Sequence, residues 1–229
     1  MKKCTYYVNS PGASARTPVL AAGCGFRQDG AWRGQPLPEA AGLLVDDRFL
    51  PDRRGLAAAL RSLAQWQGLL VFDFERPRHP LLAELIAGLG EKELAVPPAY
   101  GELPHTAVLV GPWPGGGSFD VWISACRERY GALILDGAPL RCRAAPGCAW
   151  TPWEGPLPAQ GFFCRGLGAM HRRMEDGAIL FWDTRETLTD RYRQGELPVI
   201  LFLEDWERLP ETKDRDRPSE KALDFYGRD

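Results

Sequence analysis

Apolar runs the length of a β-strand recur along this chain, and most are followed by a segment with helical spacing. "AGLLVDDRF" (41–49) precedes "DRRGLAAALRSLAQWQ" (52–67), where Leu56, Leu60, Leu63 and Trp66 share a helical face and Asp52 suits the N-cap. "GLLVFDFERP" (68–77) precedes "HPLLAELIAGLG" (79–90), in which Pro80 suits a first helical turn and Gly88 or Gly90 its end. "HTAVLVGPWPGGG" (105–117) precedes "SFDVWISACRERYG" (118–131), and "ALILDGAPLRC" (132–142) follows. "CTYYVNS" (4–10), "AAGCGFRQDG" (21–30), "KELAVPPAYG" (92–101) and "LPVILFLEDW" (197–206) bring the total to about eight strands. Continuously apolar strands are buried on both faces, which calls for a parallel sheet covered by helices.

Eight such strands, with no Gly-rich phosphate turn after the first, fit an α/β TIM-type (β/α)8 barrel better than an open sheet. The barrel is expected to be compact, because loop replaces two early helices between residues 10 and 41. From residue 161 the pattern changes, and Asp176-Gly177 between two extended runs predicts a β-hairpin inserted before the last strand. "RETLTDRYRQG" (185–195) reads as a short helix. Residues 1–208 are expected to form one domain, and the charged stretch 209–229 a solvated helix or tail.

Composition narrows the function. A net charge of −2 gives no basic surplus for nucleic acid or an anionic membrane, and no apolar run is long enough to span a bilayer. The six cysteines form no CxxC pair and no His-paired spacing, so neither a metal site nor a cofactor is expected, and free thiols in a reducing compartment are. The first residues, "MKKCTYYVNSPG", carry two lysines without an apolar run, which reads as a chain without a secretory signal and hence cytosolic.

The acids in "GLLVFDFERP" are the chemical feature. Side chains alternate along a strand, so Leu70, Phe72 and Phe74 share one face while Val71, Asp73 and Glu75 share the other. The phenylalanines suit the helix layer, which sends Asp73 and Glu75 toward the barrel interior at the strand's C-terminal end, where barrel enzymes keep their catalytic groups. Two such acids couple, and one of the pair then holds its proton to higher pH, as a general acid requires. The alternative is a structural network in which Arg76, Arg78 or Lys92 pairs with them.

Three blocks, "FDFE" (72–75), "LAVPP" (94–98) and "ILFWDTRETL" (179–188), resemble the chitinase-like family 18 glycoside hydrolases, in particular their bacterial spore- and peptidoglycan-associated branch. In that family the fourth barrel strand ends in D-x-D-x-E, the fifth carries an apolar-Val-Pro run, and an aromatic-Asp run precedes the last helix and strand. The likeness spans roughly residues 41 to 206. It implies substrate-assisted retaining hydrolysis of an N-acetylglucosamine-containing glycan, with Glu75 as general acid/base and Asp73 orienting the acetamido group whose oxygen attacks the anomeric carbon. The sugar then supplies the nucleophile, which lets both acids come from one strand. Spore assembly from the mother-cell side, or action on imported oligosaccharides, would bring a cytosolic chain to such a substrate. The chain departs from the family in three places: Gly68 and Val71 replace further aspartates, "VGPWPGG" replaces a Met-x-Tyr-Asp run, and Phe202 or Leu203 replaces the last-strand Trp.

Flat rings bind sugar faces: Tyr100 and Trp113, just past predicted strand ends, are the first stacking candidates, and Trp150 and Trp153 in the Pro-rich "CAWTPWEGP" loop come next. Asp46 and Asp47 end the preceding strand, and the one that points inward tunes Asp73, contacts substrate or caps the following turn; Glu204 and Asp205 on the last strand are read the same way. Two rival functions remain: a catalytically lapsed glycan-binding barrel, and a barrel in which Asp46, Asp73 and Glu75 hold Mg²⁺ or Ca²⁺.

Overall fold

The computed structural model describes residues 5–8, 19–33, 40–46, 52–74, 77–103, 106–115, 117–145, 147 and 149–211. The first part of the chain forms β1 (Thr5–Val8), β2 (Val19–Phe26), β3 (Trp32–Arg33), β4 (Gly42–Asp46), α1 (Leu56–Ala64), β5 (Leu69–Asp73), α2 (Pro80–Ala87), β6 (Leu94–Val96), β7 (Thr106–Val110), α3 (Phe119–Tyr130) and β8 (Leu133–Asp136). Then come β9 (Arg141–Ala144), β10 (Thr151–Pro152), β11 (Phe162–Cys164), β12 (Ala169–Arg173), β13 (Ile179–Trp182) and α4 (Arg185–Gly195). The chain returns as β14 (Val199–Phe202) and ends in α5 (Leu203–Arg208).

Two compact units result. One comprises Met1–Gly111, Cys126–Gly137 and Leu197–Glu204; the other comprises Pro112–Ala125, Ala138–Glu196 and Asp205–Asp229.

The first unit is a closed barrel of eight parallel strands in the order β1, β14, β8, β7, β6, β5, β4, β2, sealed by pairing of β1 with β2. Strands adjacent in this ring are also consecutive in the unit, so each connection returns the chain one place along. α1, α2 and α3 make three of those returns, as their helical spacing predicts. Among the described residues between β6 and β7 a 3-10 turn (Pro98–Tyr100) stands in place of a helix, and no helix occurs among those of 10–41, where β3 instead pairs antiparallel with β2.

Local chemistry explains the helix starts. Pro80 stands at the first position of α2, and the His79 ring accepts a hydrogen bond from the Leu81 N–H at 3.3 Å. Asp52 does not cap α1 directly; its carboxylate accepts from the Gly55 N–H at 2.8 Å, shaping the turn that leads into the helix.

Strand alternation sorts the barrel's apolar residues into two layers. Leu43, Val45, Leu70, Phe72, Phe74, Leu94 and Val96 face α1 and α2 in one cluster. Tyr6, Val8, Leu20, Leu44, Leu69, Val71, Ala95, Ile134 and Ile200 fill the barrel interior in another. Leu70 and Phe72 are both 0% exposed, so truncating either to Ala costs about 2–5 kcal/mol.

The second unit contains a five-stranded antiparallel sheet in the order β10, β9, β13, β12, β11. The expected hairpin is there as β12 and β13, with Gly177 at φ 84° and the Asp176 carboxylate accepting from the Ala178 N–H at 3.1 Å. Three further strands flank it. Their sequences, "RCRA", "TP" and "FFC", are too short to show period-two alternation, so only the pairing reveals them. The last barrel strand is also shorter than expected, and Glu204 and Asp205 lie on α5 rather than at a strand end. Of the charged tail, residues 212–229 lie outside the described residues.

Candidate functional site

The C-terminal ends of the barrel strands gather acids. Asp46 and Asp73 are register partners, the last residues of β4 and β5. Leu44 and Leu69/Val71 are interior residues, so alternation turns Asp46 and Asp73 to that same inner side. Asp73 is exposed and Asp46 half-buried, which puts water at the rim where these strands finish. Neighbouring strands lie about 4.8 Å apart, close enough for the two carboxylates to feel each other's charge. Phe72 and Phe74 pack against each other at 5.3 Å on the outer side, holding the strand so that its acid face cannot rotate outward.

Asp46 also acts on its other neighbour. Cys24 of β2 is 0% exposed and stands beside Val45, and its thiol pKa is raised first by burial and then by the Asp46 charge. The thiol therefore stays protonated and serves as a small apolar filler rather than a nucleophile.

A third acid was not anticipated. Asp136 ends β8, two residues past interior Ile134, and pairs in register with interior Ile200. It is half-buried. Around the closed ring β8 stands four strands from β4 in either direction, so Asp136 faces the Asp46–Asp73 pair from the opposite side of the mouth. The signal was in the sequence: "GLLVD", "LLVFD" and "LILD" are three apolar runs that each end on an Asp. Near this rim Gly111, the residue following β7, is exposed, and a Cβ built on it would meet nothing within 4 Å.

Asp47 and Glu75 lie outside the described residues. Among the described residues no group of three or more His, Cys, Asp or Glu side chains could hold a metal ion.

The proposed stacking rings take other work. Tyr100 is 0% exposed; its ring packs edge-on against Phe74 at 5.9 Å and its hydroxyl accepts from the His79 N–H at 2.9 Å. It is a core residue of the helix layer and has no face to offer a sugar. Trp113 belongs to the second unit, where it is 5% exposed, packs edge-on to Phe119 and carries the Arg191 guanidinium over its face at 4.6 Å. Trp153 is half-buried there against Met170, Leu180 and Trp182, with its N–H donated to the Pro156 carbonyl at 3.3 Å. Position past a strand end did not distinguish an open ring from one folded back onto its own core.

The chain matches no family model, no curated protein sequence and no solved structure.

Proposed function

We propose that this protein is a barrel hydrolase of glycans containing N-acetylglucosamine, working at the C-terminal mouth with Glu75 as general acid/base and Asp73 as its partner. The observation carrying this reading is the register pairing of Asp46 with Asp73 on the inner side of a closed parallel barrel, at the end where such barrels hold their chemistry. Asp73 is exposed at that mouth, where a glycan in solution can reach it.

In the proposed cycle Glu75 donates its proton to the glycosidic oxygen as the acetamido carbonyl oxygen of the same sugar attacks the anomeric carbon. The leaving saccharide departs as an alcohol, and Asp73 receives the hydrogen bond from the amide N–H of the cyclic oxazolinium ion. Glu75, now a carboxylate, then takes a proton from water, whose oxygen attacks the anomeric carbon and breaks its bond to the acetamido oxygen, with net retention.

Hydrolysis of a fluorogenic chitobioside or a muropeptide tests the reading. Glu75→Gln is expected to lower turnover by about 10²- to 10⁴-fold while the protein remains folded by circular dichroism. Absence of turnover by the native chain on both substrate types sinks the hydrolase. Glycan binding without turnover, unchanged in Glu75→Gln, replaces it with a carbohydrate-binding barrel.

A further inference from the structure

The sheet of the second unit carries one rung of rings. Phe162 of β11, His171 of β12 and Phe181 of β13 are register partners, so their side chains share a face. Ring centroids lie 6.1 Å apart from Phe162 to His171 and 6.0 Å from His171 to Phe181, and Trp150 stacks on Phe181 at 4.7 Å. His171 is 6% exposed, and its buried Nδ1 has no hydrogen-bond partner.

An imidazolium carries N–H groups on both nitrogens. Protonating this ring in place therefore buries a charge and leaves a donor at Nδ1 with no acceptor. The described groups around it supply no free counter-charge. β11 and β13 bring Phe162 and Phe181, and Cys142 of β9, next in the rung, stays a neutral thiol, its pKa pushed up to about 12 chiefly by burial. The same face of β12 continues to exposed Arg173. α4, packed against β12, brings Asp190, which has an interaction of its own, and Arg191, which holds Asp183. Burial lowers the ring's proton affinity and a backbone hydrogen bond at Phe162 opposes it, with no carboxylate among the influences.

The two flanks of the ring are unequal. β13 is buried at all four residues and pairs with both β12 and β9. β11 is three residues long at the sheet edge, and among the described residues it pairs with β12 alone. Of its side chains Cys164 is buried, Phe163 half-buried and Phe162 49% exposed. Gly161 precedes the strand and Gly168 follows its turn at φ 61°, so glycine stands at both approaches. Water reaches a charged ring at least cost through this edge.

We propose that β11 is an acid-released edge strand: protonation of His171 frees it from β12, wets the ring, and uncovers Cys164 and the backbone edge of β12. At neutral pH the uncharged ring lets the rung close. The device belongs to the second unit alone and stands or falls apart from the reading of the barrel mouth.

Amide hydrogen exchange of the full chain, followed in ¹H–¹⁵N spectra and corrected for the pH dependence of the intrinsic rate, tests this. The wetted imidazole takes its proton near the ordinary value of about 6.5, so opening becomes easier as pH falls through it. Protection of the amides bridging β11 and β12 should drop roughly five- to tenfold between about pH 7.5 and 5.5, while those bridging β9 and β13 keep theirs. His171→Phe and His171→Leu, which cannot titrate, should each abolish the drop. Protection of β11 that does not change with pH, an equal loss between β9 and β13, or a drop that persists in whichever variant keeps the native spectrum overturns the proposal.

Discussion

Two aspartates in this protein have nearly the same local sequence and opposite fates. Asp73 follows "LLVF" at the end of β5, and Asp183 follows "ILFW" just past β13. Asp73 reaches the rim of a barrel and is exposed. Asp183 is 0% exposed, bound by both terminal nitrogens of Arg191 and by the Leu140 N–H at 2.6 Å, with the Thr187 hydroxyl donating at 3.2 Å. An apolar run that ends in Asp therefore specifies a strand and its end, but not whether the acid is left exposed or becomes a buried rivet. The segment after the strand decides. Past β13 the capping box of Thr184 and Thr187 starts α4 at once, and two turns along the helix Arg191 lies against the carboxylate. Past β5 no helix begins among the described residues until Pro80.

Removing one member of the sealed pair gives the largest effect. Asp183→Ala leaves the Arg191 charge buried without compensation and should cost about 3–5 kcal/mol in urea unfolding. The double change Asp183→Leu with Arg191→Met should recover part of that loss, because both charges are gone but the Leu140 N–H is left without its acceptor. A single Asp183→Ala change costing under about 1 kcal/mol would erase the contrast with Asp73.

Tyr100→Phe keeps the ring and removes only the acceptor for the His79 N–H, so a loss of about 1 kcal/mol is expected in the same assay. Any effect on glycan turnover beyond that of stability would return Tyr100 to the binding surface.

Acid sharpens the picture of the second unit. His171 is 6% exposed among Phe162 and Phe181, with its Nδ1 buried and unpartnered. Burial lowers its pKa below the ordinary 6.5, opposed by a backbone hydrogen bond at Phe162. As pH falls through 6.5 the unfolded chain takes up the proton first, so stability declines there and stops declining below the folded pKa. Melting temperature followed from about pH 7.5 down to about pH 5 should show this slope, and His171→Phe should flatten it. A native profile with no decline would mean that the imidazolium is accommodated.

The smallest effect belongs to the open acid. Asp73→Asn should change stability by less than about 0.5 kcal/mol, or raise it slightly by easing repulsion from Asp46. A loss of several kcal/mol would make Asp73 a second rivet.

Much of the barrel could be read in advance because strand and helix periods are local. The inward turn of Asp73 follows from Val71 two residues before it, and α2 from Pro80 and its apolar spacing. Asp136 carried the same signature and was legible, though not read. Tyr100 and Trp113 were misplaced for a physical reason: an aromatic in a loop buries its rings against whatever the loop folds onto, and that contact is non-local. The short strands β9, β10 and β11 escaped because their stability comes from partners across the sheet rather than from their own pattern.

By itself the sequence determined the alternation of strands with helices, the face each strand residue takes, and the acids at three strand ends, since each depends on residues a few positions apart. Only the tertiary structure decided that Asp46 stands beside Asp73, that Asp136 opposes them, and that Arg191 closes over Asp183. Register, ring closure and charge pairing join residues distant in sequence, and packing free energy rather than local preference selects among them.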